Sequence, residues 1–400
     1  MEQKNLVPKR RFKEFQNAPA WEKRKLVDLC TTFTDGDWIE AKDQSDNGIR
    51  LIQTGNVGVN EFIDKADKSK WITEDTFNRL NCSEVYPGDI LISRLPEPAG
   101  RACIVPNFEK RMITAVDCTI VRTSDECNKK YLVQYLSSES YFKSVNNFLA
   151  GGTRQRISRS NLANFIVPLP SKPEQKKIGA VLDRLDNLIT LHQRKLEKMK
   201  ALKSAYLSEM FPAEGERVPK RRFAGFTQAW EQHTISELAD RYDNLRVPIT
   251  AFDRMPGNTP YYGANGIQDY VEGFTHCGEF ILVAEDGAND LQNYPVQYVN
   301  GKVWVNNHAH VLQARSEIAD NKFLMNALKQ TNIEPYLVGG GRAKLNADVM
   351  MKISLRVPEL AEQKKIGSFF ERLDHLITLH QRKLEKLQNL KKSYLNEMFV

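Results

Sequence analysis

Glu174-Gln175-Lys176 and Glu362-Gln363-Lys364 spell the E-x-K of a metal-dependent nuclease, the first spacing in this chain that could carry bond-breaking chemistry. No Pro-Asp strand precedes either copy. Both fall where a helix begins, a place where a glutamate is favoured by the helix dipole, so a structural role competes with the catalytic one. His308-x-His310 and His276-Cys277 supply zinc-type donors but lack a second ligand pair at metal spacing. The sequence has no Pro-Pro, and with it no Asn-Pro-Pro-Tyr methyltransferase motif. It also has no G-x-x-x-x-G-K-[ST] phosphate loop and no G-x-S-x-G nucleophile elbow. The expectation is a chain that binds no metal and catalyses nothing by itself.

The remaining polar residues suit contact with a nucleic acid. Gly151-Gly152-Thr153-Arg154-Gln155-Arg156 and Gly339-Gly340-Gly341-Arg342-Ala343-Lys344 each place two cations beside glycines that let backbone approach a polyanion. Arg154, Arg156, Arg342 and Lys344 are therefore candidates for phosphate or base contact, with a packing junction between domain and helix as the rival reading. Base readout calls for amides and imidazoles in loops and on strand faces, since Asn and Gln pair well with adenine. Gln53, Thr54 and Asn56 in the first half, and Asn265 and Gln268 in the second, fit that description. Read as one strand, Val303–Leu312 puts Val303, Val305, Asn307, Ala309 and Val311 on one face. Asn306, His308 and His310 then lie on the other face with Trp304. An ordinary solvated strand face is the alternative.

The elements that must hold these residues are written twice. Glu174–Phe211 recurs 188 positions later as Glu362–Phe399 with 27 of 38 residues identical, and Val7–Phe12 recurs as Val218–Phe223. Such a long period means duplicated domains rather than a solenoid. In each long repeat, apolar residues alternate in steps of four and three, the a/d pattern of a coiled coil. The seam comprises Leu182, Leu185, Ile189, His192 and Leu196, matched by Phe370, Leu373, Ile377, His380 and Leu384; the two histidines read as polar layers setting register. Ser171-Lys172-Pro173-Glu174 fits a capping box. At 1.5 Å per residue each helix is a rod of about 55 Å, or about 16 base pairs of duplex at most. Connectivity favours antiparallel pairing, because the second repeat begins only after a whole intervening domain.

The blocks between the repeats share an order of elements but little sequence. Block one (about Trp21–Pro170) has strand-like runs at Asp89–Ser93, Ala102–Val105 and Cys118–Val121, then a helical stretch over Lys130–Leu149. Block two (about Trp230–Pro358) has them at Phe280–Val283, Val296–Val299, Val303–Val305 and Ala309–Leu312, then a helix over Asn321–Leu328. The expected fold is α+β: two tandem recognition domains separated by two long helices paired as an antiparallel coiled coil, a pseudo-twofold dumbbell. The expected divisions are 1–170, 171–211, 212–358 and 359–400.

The net charge is +7, with 57 Lys+Arg against 50 Asp+Glu. Each long repeat carries +3 and the Lys9-Arg10-Arg11 and Lys220-Arg221-Arg222 triplets add +6, so the remainder is net acidic. Basic patches suit an anionic partner, yet any sequence reader here must work through local contacts. No apolar run approaches membrane-spanning length, and Met1–Arg11 has no signal-peptide core. Six cysteines without framework spacing read as free thiols in a cytoplasmic protein.

With the duplicated EQKKIG…LITLHQRKLEK…Y-L-x-E-M-F helices, Tyr86–Leu91 in block one and Tyr261–Gly266 in block two, the chain resembles a type I restriction–modification specificity subunit over essentially its whole length. The resemblance implies two target-recognition domains, each reading half of a bipartite, asymmetric site on double-stranded DNA. The helices would act as spacer and docking surface, their exposed faces near Lys195, Lys198, Lys383 and Lys386. It implies two modification subunits that methylate adenine with S-adenosylmethionine, and restriction subunits that add ATP-driven translocation and Mg²⁺-dependent cleavage, a prokaryotic defence system in which this chain holds no cofactor. A free-standing DNA-binding or scaffold protein without enzyme partners is the alternative.

Overall fold

The computed structural model describes residues 6–150, 155–340 and 343–399. The chain forms two compact units, residues 1–192 with 383–400, and residues 193–382. Each contains half of each long helix, Lys172–Met210 and Leu360–Met398. In the first unit Ile178, Leu182 and Leu185 bury against Met398 and Phe399, so the start of one helix meets the end of the other. In the second, Met210 and Phe211 bury with Ile366, Phe370 and Leu373. The helices pair antiparallel in both units. Of the seam residues, Leu182, Leu185, His192, Leu196, Phe370, Leu373 and Ile377 are buried and Ile189, His380 and Leu384 half-buried.

The invariant residues of the repeat are consumed by the join between helix and domain. Arg11 grips the buried Glu174 through two nitrogens, each at 2.7 Å, and Arg222 grips Glu362 at 2.7 and 2.6 Å. Gln175 donates to the Pro170 and Glu126 carbonyls at 2.9 and 3.1 Å and accepts from the Asn128 amide at 2.8 Å. Gln363 repeats this with Pro358, Ile318 and Asp320. One expectation is thereby corrected. Glu174 is not the return arm of a capping box, since its carboxylate is held by Arg11. In the basic triplets Arg11 and Arg222 are committed to these pairs and Arg10 and Arg221 bind Glu397 and Glu209, while Lys9 and Lys220 stay exposed.

Glycine completes each join. A Cβ on Gly179 would lie 2.8 Å from the Tyr131 amide nitrogen, and one on Gly367 2.5 Å from Asp320 Oδ1. These are the first turns of Lys129–Tyr135, capped by Asn128, and Asn321–Gln330, capped by Asp320. Domain helix and long helix approach too closely for any side chain at these positions.

Around this shared frame the sheets differ. Both units pair the strand after the lead with the strand before the long helix, Glu22–Lys25 with Ile166–Leu169 and Glu231–Thr234 with Ser354–Val357. The first unit then builds two four-stranded sheets, and the second a six-stranded one. Two expected elements are corrected. The helical stretch over Lys130–Leu149 is two helices, Lys129–Tyr135 and Glu139–Asn146. Val296–Val299 and Val303–Val305 are one ten-residue strand, Val296–Val305. Its Gly301 (φ 100°) pairs with Gly278 (φ 139°) of the neighbouring strand His276–Ala284. Paired glycines with positive φ let this ribbon coil. The coiling is strong: Val303 pairs with His276 and Ala309 with Ala284, opposite ends of one strand.

All six cysteines are free thiols. Burial pushes Cys103 up to about 12 and Cys118 to about 11, which keeps both protonated and unreactive.

Candidate nucleic-acid interface

In both units the short strands that flank the Gly-rich basic run pair antiparallel. Leu149 and Ala150 pair with Ile157 and Arg156, and Leu337 and Val338 with Leu345 and Lys344. Arg154 and Arg342 lie outside the described residues. The returning strand is tied to the domain in the same way twice: the Ile157 amide donates to the Arg94 carbonyl at 3.1 Å and the Leu345 amide to the Glu285 carbonyl at 2.7 Å.

In the second unit Lys344, His308, Asn265 and His310 collect around Glu285–Asn289. Lys344 Nζ lies 2.9 Å from Glu285 Oε1, and Arg246 donates to Glu285 Oε2 at 2.6 Å. His308 Nδ1 is 2.5 Å from Asp286 Oδ1. Asn265, at the turn of the Pro256–Gly263 and Gly266–Val271 hairpin, donates to the Gly287 carbonyl at 2.9 Å and accepts from the Asn289 amide at 3.0 Å. Asn306 accepts from the His308 amide at 2.8 Å and approaches Gln268 at 3.5 Å.

The run Val303–Leu312 is not one alternating strand, which corrects that expectation. The strand ends at Val305, the chain turns through Asn306–His308, and it resumes as Ala309–Ala314 on the opposite edge of the strand His276–Ala284. Consequently Asn307 is exposed, while Asn306 (3% exposed) and His310 (1%) are interior. Asn56 is likewise interior: its amide donates to the Ile63 carbonyl and its oxygen accepts from the Gln53 amide, both at 2.9 Å. Asn265, Gln268, His308, Lys344, Gln53, Thr54 and Arg156 keep solvent-facing surface.

His310 has a different task. Its Nδ1 faces Asp243 Oδ2 at 2.7 Å and its Nε2 faces the Leu345 carbonyl at 2.8 Å. Asp243, Glu285 and His310 bring three ligand-type atoms within 4.8 Å of one another. Each is already engaged, by Val311, Arg246, Lys344 or Leu345, so the set reads as an ion cluster that fixes the basic hairpin. Burial would raise the Asp243 carboxyl, but the hydrogen bond and charge of His310, the Val311 amide and Arg246 hold it below its ordinary value. Glu285 is likewise raised by burial, and Arg246 and Lys344 outweigh that to keep it low. His276 is structural: it contacts Thr275 Oγ1 and the Tyr242 carbonyl, and burial lowers its pKa.

The first unit answers with a looser cluster. Arg94 lies 3.2 Å from Asp35 and 3.9 Å from Asp117, and Arg156 lies 3.7 Å from Asp117. These supporting acids and arginines are invisible to a motif search, because they come from loops far apart in sequence. The one available signal was that something must neutralise a basic loop that docks on its own domain.

Two domains mounted on one repeated frame present polar loops at their surfaces, while the glutamates of the two E-x-K runs are held by Arg11 and Arg222. A family model described as the type I restriction modification DNA specificity domain matches residues 19–201 and again 227–389. The chain belongs to that family. A putative type I restriction enzyme specificity subunit of Haemophilus influenzae, S.HindORF215P, is 43% identical over 146 residues, 36% of this chain; the chain spans 38% of that relative's length. The putative MjaX specificity subunit of Methanocaldococcus jannaschii is 21% identical over 94% of this chain and 92% of its own. The crystal structure of a type I restriction–modification S subunit from M. genitalium superposes with a TM-score of 0.73 at 17% identity, over 99% of both chains, and so shares the fold. No helix among the described residues is long and apolar enough to cross a membrane.

Proposed function

We propose that this chain is the sequence-reading subunit of a type I restriction–modification assembly in the cytoplasm. Each of its two domains reads one half of a bipartite, asymmetric site on double-stranded DNA. The observation that carries this is the contrast within one chain. The joins built on Arg11–Glu174 and Arg222–Glu362 are the same, while the sheets and loops mounted on them differ. Two readers of unlike sequence on a common frame need this division, since phosphate contacts position a protein and base contacts specify it. Lys344 and Arg156, partly held by carboxylates, suit the positioning role; Gln53, Thr54, Asn265, Gln268 and His308 suit readout.

Catalysis then belongs to partners: two modification subunits using S-adenosylmethionine, and restriction subunits using ATP and Mg²⁺. Lys195, Lys198, Lys383 and Lys386, exposed on the long helices, are candidates for docking the modification subunits. The long helices would set the distance between the half-sites, in divisions near 1–170, 171–211, 212–358 and 359–400. The test is to reconstitute the chain with its modification subunits and map methylated adenines. Two separated, dissimilar half-sites are expected. One continuous motif, or modification that ignores an exchange of residues 21–170, would refute the reading.

A further inference from the structure

The first unit contains a small cationic cleft that neither the fold nor the family assignment uses. It lies between the turn Thr54–Asn56 and the loop through Lys65, Lys68 and Lys70, with a volume of about 160 Å³. Its charged lining is Arg50 and these three lysines, with no carboxylate. Arg50 is committed elsewhere, bound to Asp64 and lying 4.5 Å from the Phe108 ring centre. Among the described residues, no ion pair joins Lys65, Lys68 or Lys70 to a carboxylate. Three cationic side chains without a carboxylate among them line this small space, a lining that suits an anion.

The floor of the cleft is held firmly. The buried Arg101 donates to the Thr54 and Val57 carbonyls at 2.9 and 2.6 Å. Its other terminal nitrogen reaches the Leu95 and Pro98 carbonyls at 2.7 and 3.0 Å. Gly55 matters here, because a Cβ would lie 2.6 Å from Lys65 Nζ. Glycine lets that ammonium rest against the turn. The volume is well under the roughly 300 Å³ at which small-molecule sites begin, which excludes a nucleotide cofactor and leaves a small anionic group.

We propose that this cleft seats a backbone phosphate of the DNA, with Lys65, Lys68 and Lys70 as its contacts and Gln53 and Thr54 placed by it against the adjoining bases. The proposal rests on the reading that this chain binds DNA, and it assigns positioning residues that make no sequence distinction themselves.

The experiment measures binding of the full chain to a fluorescein-labelled 30-base-pair duplex of random sequence between 50 and 200 mM NaCl. Each phosphate contact contributes about 0.9 to the slope of log affinity against log salt. With one phosphate seated, K65Q/K68Q/K70Q should lower that slope by about 0.9, so the wild-type advantage shrinks roughly 3.5-fold across the range; K68Q alone should lower it by less. The control K13Q/K23Q/K25Q removes equal charge from exposed positions of the same unit, and thermal midpoints verify folding. An unchanged slope in the cleft variant, or an equal change in the control, overturns the seat while DNA binding stands. Failure of the wild type to bind duplex would instead sink the DNA-reading role.

Discussion

Lys203 Nζ donates to Asp374 Oδ1 at 2.6 Å, and the pair joins the two long helices within the second unit. The 188-residue repeat carries Lys203 to Lys391 and Asp186 to Asp374, and Lys391 pairs with Asp186 in the first unit. Both lysines are 18% exposed at seam positions where the four–three pattern calls for an apolar residue. A charged residue at such a position costs stability but selects one register. D374A and K203A should each lower stability by about 1 kcal/mol, while the reversed pair K203D/D374K regains most of it. Urea unfolding of the wild type and these three variants measures the coupling. A reversal no better than either single change would show that the pair does not select the register.

Gly179→Ala and Gly367→Ala should destabilise more than a glycine-to-alanine change in an open helix, where alanine is favoured by about 1 kcal/mol. At Gly179 the added methyl meets the Tyr131 backbone nitrogen, which cannot swing away as a side chain would. The net expected loss is about 1–3 kcal/mol, the range for overpacking. A midpoint equal to or above the wild type would mean that domain and long helix can separate there without cost.

The doubled helix was legible because two copies within one chain expose what the frame requires. The identity of Glu174, Gln175 and Gly179 with Glu362, Gln363 and Gly367 marked the join, though not that Arg11 and Arg222 close it. Periodicity failed at Val303–Leu312, because a coiled ribbon with glycines at 278 and 301 brings opposite strand ends together and buries His310. The amide Asn56 looked like a reader and is a turn brace, since a short side chain beside free backbone groups hydrogen-bonds locally. The Asp243–Glu285–His310 cluster could not be foreseen, for its members meet only through tertiary contacts.

The hairpin carrying Lys344 should loosen in acid. Asp243 and Glu285 both titrate below their ordinary values, so their contribution is fully present above the unfolded carboxylate range near pH 4 and is lost as pH falls through the lower folded values. Hydrogen exchange at the Leu345 amide, which donates to the Glu285 carbonyl, reads this opening. Protection should fall below about pH 4 in the wild type. In E285Q it should already be reduced at pH 7, with a weaker acid dependence. Protection that is flat with pH and indifferent to E285Q would show that the ion cluster does not hold the hairpin.

If the long helices measure the gap between half-sites, lengthening both should lengthen that gap. Seven residues preserve the heptad seam, so the insertion belongs after Arg194 and after its repeat equivalent Arg382, leaving both lysine–aspartate pairs in phase. One heptad adds about 10.5 Å of helix, or about three base pairs at 3.4 Å per step. Three base pairs also turn one half-site by roughly a third of a helical turn relative to the other. The lengthened chain must therefore trade affinity for torsion, and it should modify the longer gap more slowly than the wild type modifies its own. Inserting in one helix only breaks the pairing and should abolish modification at either spacing. Methylation mapping of the double-insertion complex decides the matter: an unchanged gap would mean that the protein's partners, and not its helices, set the distance.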